Sequence, residues 1–293
     1  VFEQQLMNGL SLGSVYALFA LGFTLIFGVL GVINLSHGAI FMLGSYVALF
    51  LVQQFQLPIL LAFVIASILS GVFAVVIDFL VLRPLRARGA PHLAPMIATI
   101  GVAILLTNFM QGKVGAEVRR FPQETLPESS VMLGNIHAST LQLGIILIAF
   151  LLMLGLWFLM QKTRLGWALR AVAESSKAAA LLGIPVERLF YLTSFLAGAL
   201  GGAAGVLVGL SFNAISPFMG QPMLHKGIAV IILGGMGDIR GALIGGLFLG
   251  FAEVFSVAYL SSDFRDAIAF GLLFIILLIK PSGLFGRVVE RKA

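Results

Sequence analysis

The chain has 293 residues, of which 60% are hydrophobic and only 10% charged, with a mean hydropathy of +1.09. Soluble domains carry about 25% charged residues, and a globule of this size cannot hide so much apolar surface from water. Disorder, collagen-like structure and a soluble domain are excluded, which leaves an integral membrane protein. The sequence contains no cysteine, so disulfides, thiolate metal sites and Cys nucleophiles are removed together. The histidines, His37, His92, His137 and His225, show no HExxH spacing, and a zinc hydrolase is not expected. A formal charge of +6 would suit nucleic acid, but the basic residues stand in short loops between apolar runs. There they report membrane topology, and no nucleic-acid partner is expected.

In chain order, only Glu3 precedes the first apolar run, Leu6 to Ile33, and without a basic n-region no cleavable signal peptide is expected. That run ends at Asn34-Leu35-Ser36-His37-Gly38. A shorter apolar piece, Ala39 to Val52, follows at the lower limit for a crossing. Leu57 to Leu82 is a full span with one acid, Asp78, and leads into a basic loop, Arg83 to Arg88. A span from Pro91 to Met110, a polar loop from Gln111 to His137 and a span from Leu141 to Met160 come next. The longest basic polar segment is Gln161 to Arg188. A Gly-rich span, Leu189 to Leu210, is followed by a break from Ser211 to Pro222, a short piece (Gly227–Gly234) and a Gly-rich corner. Spans near Ala242 to Leu260 and Ile268 to Ile279 lead to a basic tail, Lys280 to Ala293.

Runs that are apolar all round favour helices over a β-barrel, whose strands would alternate with period two. The expected fold is therefore all-α and polytopic, a single domain over 1–293 with eight or nine membrane segments, two of them short or discontinuous. The loops 83–88, 161–188, 238–240 and 280–292 hold 13 of the 18 basic residues. Alternating crossings place all four on one side, which the positive-inside rule makes the cytoplasm. The amino terminus then lies outside and the carboxyl terminus inside. The loop 111–137, with Lys113, Arg119 and Arg120 against Glu117, Glu124 and Glu128, is neutral and falls outside. With Pro122 and Pro127 it serves either to dock an external protein or as a plain connector.

The two breaks, Asn34–Gly38 and Ser216–Pro222, face opposite sides in this topology, and each precedes a short apolar piece. Such a pair marks an inverted repeat around a central pathway, or else two ordinary interfacial turns. His37 and His225 sit at these breaks, as packing residues or as ligand contacts. Asn34 and Ser36 are placed to cap the following helix, and the freed donors there can equally face a carboxylate. Gln221 belongs to the second break. The intramembrane acids Asp78 and Glu253 are functional candidates by default. Asp78, five residues before Arg83, reads as a structural ion pair near the inner face. Glu253, nearer mid-span, reads as part of a pathway or interhelical network, or as a proton site. Gly198, Gly201, Gly202 and Gly205 have the spacing of close helix packing, and Gly234, Gly235 and Gly237 read as a tight corner.

The segment Gly166 to Pro185 is rich in Ala, Leu, Glu, Lys and Arg, which favours a surface helix stopped by Gly183 and Pro185. Such a helix seats in the groove of a cytoplasmic partner or lies on anionic lipid. Within it, Lys177-Ala-Ala-Ala-Leu-Leu-Gly183 resembles the coupling-helix motif of ATP-binding cassette importer permeases, Glu-Ala-Ala, three residues, Gly. Lys stands in place of Glu, and the Ile-x-Leu-Pro that often follows is missing. Those departures fit the branched-chain amino acid permeases of the LivH type. The whole chain is similar to that family, through Asn8-Gly9-Leu10-Ser11-Leu12-Gly13-Ser14-Val15-Tyr16-Ala17-Leu18, Gly28-Val29-Leu30-Gly31-Val32-Ile33-Asn34-Leu35-Ser36-His37-Gly38 and Arg164-Leu165-Gly166. Gly234-Gly235-Met236-Gly237 and Lys280-Pro281-Ser282-Gly283-Leu284-Phe285-Gly286 complete the series.

The resemblance implies a non-enzymatic subunit of an importer in a bacterial inner membrane. It would pair with a second homologous permease and two cytoplasmic ATPases that hold ATP with Mg, and an external binding protein would deliver leucine, isoleucine or valine. No GxxxxGK[ST] phosphate loop occurs in the chain, so ATP would be hydrolysed elsewhere. On that reading Glu174, Lys177, Ala179 and Gly183 contact the ATPase, with Gly183 making the turn. Asn34, Ser36, His37, Gln221, His225 and Glu253 line the pathway. Rival expectations are an importer of urea, short amides or another small metabolite, an ion-coupled transporter using Glu253 or Asp78, and a passive channel. The long basic cytoplasmic segment has no purpose in a channel.

Overall fold

Hydrocarbon offers no water to pair backbone N–H and C=O groups, so apolar runs close their hydrogen bonds internally as helices. The computed structural model describes residues 2–91, 93–123, 130–133, 136–280 and 283–285. His92, Glu124, Pro127, Glu128, Pro281, Ser282 and the basic tail from Gly286 onward lie outside the described residues. The helices are α1 (Phe2–Leu30), α2 (His37–Phe55), α3 (Ile59–Ile77), α4 (Arg83–Ala87), α5 (Leu93–Val114) and α6 (Thr140–Lys162). They continue with α7 (Arg164–Glu174), α8 (Ser176–Leu181), α9 (Val186–Phe212), α10 (Gly220–Gly234), α11 (Ile239–Tyr259) and α12 (Arg265–Ile279). Seven helical stretches among the described residues are long and apolar enough to cross a bilayer. The chain is a multi-pass, helical membrane protein.

Several expected boundaries shift, each for a physical reason. The supposedly short piece after Asn34–Gly38 is the 19-residue α2, because His37 and Gly38 are already helical and Gln53 and Gln54 continue the helix to its end. The expected short piece at Gly227–Gly234 lies in α10, which has 15 residues, and the other short segment is α12, also of 15 residues. Gln221, Pro222 and His225 belong to α10 and not to a break. A proline in the first turn removes only an N–H that has no intrahelical partner anyway. The basic loop at Arg83–Arg88 is also mostly helix. A π-turn, Asp78–Leu82, joins α3 to α4, with the Arg83 N–H bonded to Asp78 O. That extra residue in the turn lets the helix run on past Pro84, which has no N–H of its own. The connection between α5 and α6 contains a hairpin, β1 (Ser130–Leu133) paired antiparallel with β2 (Ile136–Ser139), so the chain is not wholly helical.

At one end of the bundle Phe2 of α1 packs on Phe255 of α11 with ring centroids 5.6 Å apart. Gln142 at the start of α6 donates to Asn8 Oδ1 at 3.1 Å there. The isolated pairing of Arg119 with Ile215 and the bond from Phe121 N–H to Asn213 Oδ1 (2.8 Å) close the end of α9 against the α5–α6 connection. At the other end Gly28 meets Gly237 in the α10–α11 corner. Leu284 and Phe285 hydrogen-bond back to Leu233 and Gly234 there.

The triplets α1–α2–α3 and α9–α10–α11 exchange partners: α1 packs along α11 and α3 along α9, while α2 packs on α9 and α10 on α1. Within each triplet the middle helix starts inside the bundle. His37 at the start of α2 abuts Phe19 of α1 and Gly201 of α9. Gly38 lies directly against Gly220, the first residue of α10. From that meeting point α2 runs toward the Phe2 end and α10 toward the Gly237 corner. Two middle helices that begin against each other and run in opposite directions fit an inverted repeat. A Cβ on Gly38 would sit 2.5 Å from the Gly220 carbonyl oxygen, and backbone cannot yield as a flexible side chain does.

Gly38→Ala is therefore expected to cost on the order of 1–3 kcal/mol by overpacking, read as a lower melting temperature in detergent. Gly144→Ala, in α6 with nothing within 4 Å of the added carbon, is expected to be neutral or to stabilise by up to about 1 kcal/mol.

Candidate functional site

Three groups of residues carry the functional candidates, and they lie at different depths. The first is the projection formed by α7 and α8. Thr163 caps α7, its Oγ1 accepting from Gly166 N–H at 3.1 Å. The expected single surface helix is broken at Ser175, which is extended (φ −157°, ψ 106°) and whose Oγ accepts from Ala178 N–H at 3.2 Å to start α8. A serine that bonds its own neighbouring backbone offers the chain an alternative to continuing the helix. Gly183 has φ +79° and reverses the chain into α9, the turn expected of it.

Glu174 and Lys177 are exposed, as a partner contact needs. Ala179 is not: it is the one buried residue of α8, 2% exposed. A small side chain lets the helix seat closely, so Ala179 positions α8 and does not present a surface. The residues that sequence reasoning missed are Leu181 and Leu182, 90% and 80% exposed at the tip. Their signal was available: two leucines stand side by side just before the Gly stop.

The second group ties this projection to the bundle. Arg86 donates from Nη1 to Asp78 Oδ1 at 2.6 Å and from Nη2 to Asp78 Oδ2 at 3.2 Å. Its Nη2 also reaches Glu187 Oε2 at 3.4 Å, and the guanidinium lies 4.7 Å from the Phe190 ring centroid. Asp78 is thus in a structural ion pair, with an arginine two helical turns on. Glu187 lies in the first turn of α9, four residues after Gly183, so this junction stands beside the turn that joins α8 to α9. A two-pronged arginine–carboxylate contact fixes orientation as well as distance.

The third group comprises the residues at the half-helix starts and the charges beyond them. Asn34 Oδ1 accepts from Ser36 N–H at 3.1 Å and Ser36 Oγ at 2.6 Å, and Thr99 Oγ1 accepts from Leu35 N–H at 3.1 Å. Asn34 does the capping; Ser36 is itself helical and makes no side-chain cap. Asn34, Ser36 and His37 are all buried. His37 Nε2 lies 3.3 Å from Phe19 O, and its ring packs on Phe19 and Phe23. Gln221 and His225, one turn apart on α10, are exposed on the outer face of the bundle.

Glu253 of α11 is fully buried nearer the Phe2 end. Lys226 Nζ donates to Glu253 Oε1 at 2.5 Å and to Tyr16 Oη at 3.0 Å. Arg265 pairs with the same carboxylate oxygen, and Asp266 lies 3.5 Å from Lys226. The six pathway candidates therefore do not form one site: Asn34, Ser36 and His37 are interior, Gln221 and His225 face outward, and Glu253 belongs to a separate charge network. Lys226 and Arg265 were missed. Lys226 is the single charge within Gly220–Gly234, and such a residue needs a named partner.

Among the described residues no group of three or more His, Cys, Asp or Glu is placed to hold a metal ion. Residues 5–277 match the family described as the permease component of branched-chain amino acid transport systems. The chain is 37% identical to the high-affinity branched-chain amino acid transport system permease protein LivH of Escherichia coli K12, covering 98% of this chain and 96% of that one. The identity is again 37%, with the same coverage, to the corresponding permease protein BraD of Pseudomonas aeruginosa. It is 28% to the ribose import permease protein RbsC of Escherichia coli K12, over 84% of this chain and 75% of that one. No solved structure shows a significant match.

Arg86→Met strands the buried Asp78 carboxylate and is expected to destabilise by roughly 3–5 kcal/mol. Replacing both partners, Asp78→Leu with Arg86→Met, is expected to restore most of that loss. Thermal unfolding of the purified protein in one detergent compares the three.

Proposed function

The chain belongs to the permease-component family of branched-chain amino acid transport systems, and on that premise we propose that it forms half of the membrane channel of an ATP-driven importer. A second permease of the same kind completes the pathway in a bacterial inner membrane. Two cytoplasmic ATPases, holding ATP with Mg, drive it, and a periplasmic binding protein delivers leucine, isoleucine or valine. The orientation that the basic loops indicate puts Phe2 in the periplasm and the α7–α8 projection and the carboxyl terminus in the cytoplasm.

The observation that carries this reading is the α7–α8 projection itself. Leu181 and Leu182 stand almost fully exposed beyond the bundle, while Ala179 of the same helix is buried. Exposed leucines flanked by Lys177 and Glu174 fit the groove of a soluble partner. Closure of the ATPases moves α8, and Gly183 and the Arg86–Glu187 contact pass that movement to α9 and α3. Nucleotide then shifts the balance between inward- and outward-open states by contacting α8 differently in each.

The exposed polar pair on α10 supports the pairing of permeases. Polar side chains facing lipid at membrane depth are costly, so Gln221 and His225 belong against a partner subunit or water in a shared pathway. Asn34, Ser36 and His37 act beneath that surface by fixing where α2 begins. Glu253 belongs to the periplasmic half.

Vesicles containing the complete complex provide the test. Leucine uptake is expected to need internal ATP, and Leu182→Asp is expected to reduce it at least about tenfold by placing a charge in an apolar contact. Gly183→Pro should do the same, since proline fixes φ near −65° and the observed angle is +79°. Uptake without ATP, or normal uptake by both variants, would contradict the proposal.

A further inference from the structure

A groove of about 320 Å³ lies on α9 between α3 and α6, both of which pack on that helix. Leu200 and Ala203 of α9 are buried at its floor, while Val64 and Ile68 of α3 and Leu151 of α6 are exposed at its rim, so it opens on the outer face of the bundle. Of the side chains that line it, Ser67 alone is polar, and its hydroxyl already donates to the Phe63 carbonyl at 2.7 Å. The groove offers a polar solute no free donor in exchange for its water. A transmembrane helix is about 10–12 Å across with its side chains, so this volume would hold less than one turn of it. A single hydrocarbon chain is thinner and can lie along the groove.

The end of the groove nearest α7 is cationic. Lys162 stands one turn beyond Leu159 on α6, and Arg188 two turns before Leu196 on α9, and both are exposed. Glu187, the acid beside Arg188, is already engaged by Arg86 at 3.4 Å. On α7, Leu165 and Trp167 are exposed beside Arg164, the mixture of aromatic and basic side chains that marks the level of lipid head groups. Basic side chains at that level attract anionic lipid while their stems lie along apolar surface.

We propose that the groove is a binding site for an anionic phospholipid of the leaflet on the α7–α8 side, with one acyl chain over Leu200 and Ala203 and the phosphate held by Lys162 and Arg188. The apolar length selects a chain, and the charge at one end selects the head group. Gly155 of α6 makes room in the wall: a Cβ added there meets nothing within 4 Å, so packing within the chain does not require a glycine at that position. The lipid covers the surface of α9 that α3 and α6 leave bare. The site stands apart from the importer reading, since it involves neither nucleotide nor transported solute.

In the test, the full chain in detergent is titrated with phosphatidylglycerol and with phosphatidylcholine of the same acyl chains, and bound lipid is read by native mass spectrometry. One phosphatidylglycerol is expected to bind at least about tenfold more tightly than phosphatidylcholine, a difference of about 1.4 kcal/mol. Lys162→Gln combined with Arg188→Gln should erase that preference. Gly155→Leu fills the groove from a position with open space and improves helix propensity. It should weaken binding at least about tenfold without lowering the melting temperature. Gly144→Leu, on the same helix, equally open and outside the groove, should leave binding unchanged. Equal affinity for the two lipids, a preference that survives the double substitution, unchanged binding by Gly155→Leu, or an equal loss in Gly144→Leu would each overturn the site. So would loss of a partner permease from Gly155→Leu on co-purification with lipid binding intact, which would assign the groove to a neighbouring helix.

Discussion

Where Gly38 of α2 meets Gly220 of α10, two helices begin back to back inside a bundle from which lipid is excluded. Each start leaves N–H groups without intrahelical partners, and hydrocarbon would make them expensive. The chain satisfies them locally: Asn34 Oδ1 takes the Ser36 N–H, Thr99 takes that of Leu35, and the Ser216 and Phe218 carbonyls take those of Met219 and Gln221. Neither glycine tolerates a Cβ without moving backbone. With this contact in place, α2 and α10 diverge toward opposite ends, and the long helices α1, α3, α9 and α11 are packed around them. The depth of Gln221 and His225, and the separation of the Glu253 network from the α7–α8 projection, follow from it.

The same economy governs the charges. Asp78 and Glu253 are buried acids, and each is matched by cations from another turn or helix. Paired in this way they mark two junctions, one joining α8's neighbourhood to α3 and one joining α10, α11 and α12. The first is closed on both carboxylate oxygens. The second leaves Oε2 of Glu253 buried with no donor among the described residues.

Most of the fold was legible in the sequence because a bilayer imposes long, uniformly apolar helices. The runs around Leu6–Ile33, Leu189–Leu210 and Ala242–Leu260 could hardly be anything else. Boundaries were harder where polar residues are helical. His37 and Gln221 read as ends of a break, yet both are tolerated in helices because the fold packs one and leaves the other facing outward. Pro84 and Pro222 fall in stretches that read as a loop and a break, but a π-turn and a first-turn position absorb them. For the candidate site, periodicity located the α7–α8 segment and Gly183. It could not show that Ala179 turns inward, since that depends on how α8 seats on its neighbours. Arg86, Lys226 and Arg265 became recognisable only once distant elements were brought together.

The absence of cysteine from the sequence makes one experiment unusually direct. Leu182→Cys places a single thiol at the tip of α8, and a membrane-impermeant maleimide reports which side of the membrane it occupies and what covers it. Labelling in inside-out vesicles alone, blocked when the ATPase is bound, is the predicted result. Labelling in right-side-out vesicles, or labelling that the ATPase leaves unchanged, would contradict the claim that α8 carries the nucleotide cycle into the membrane.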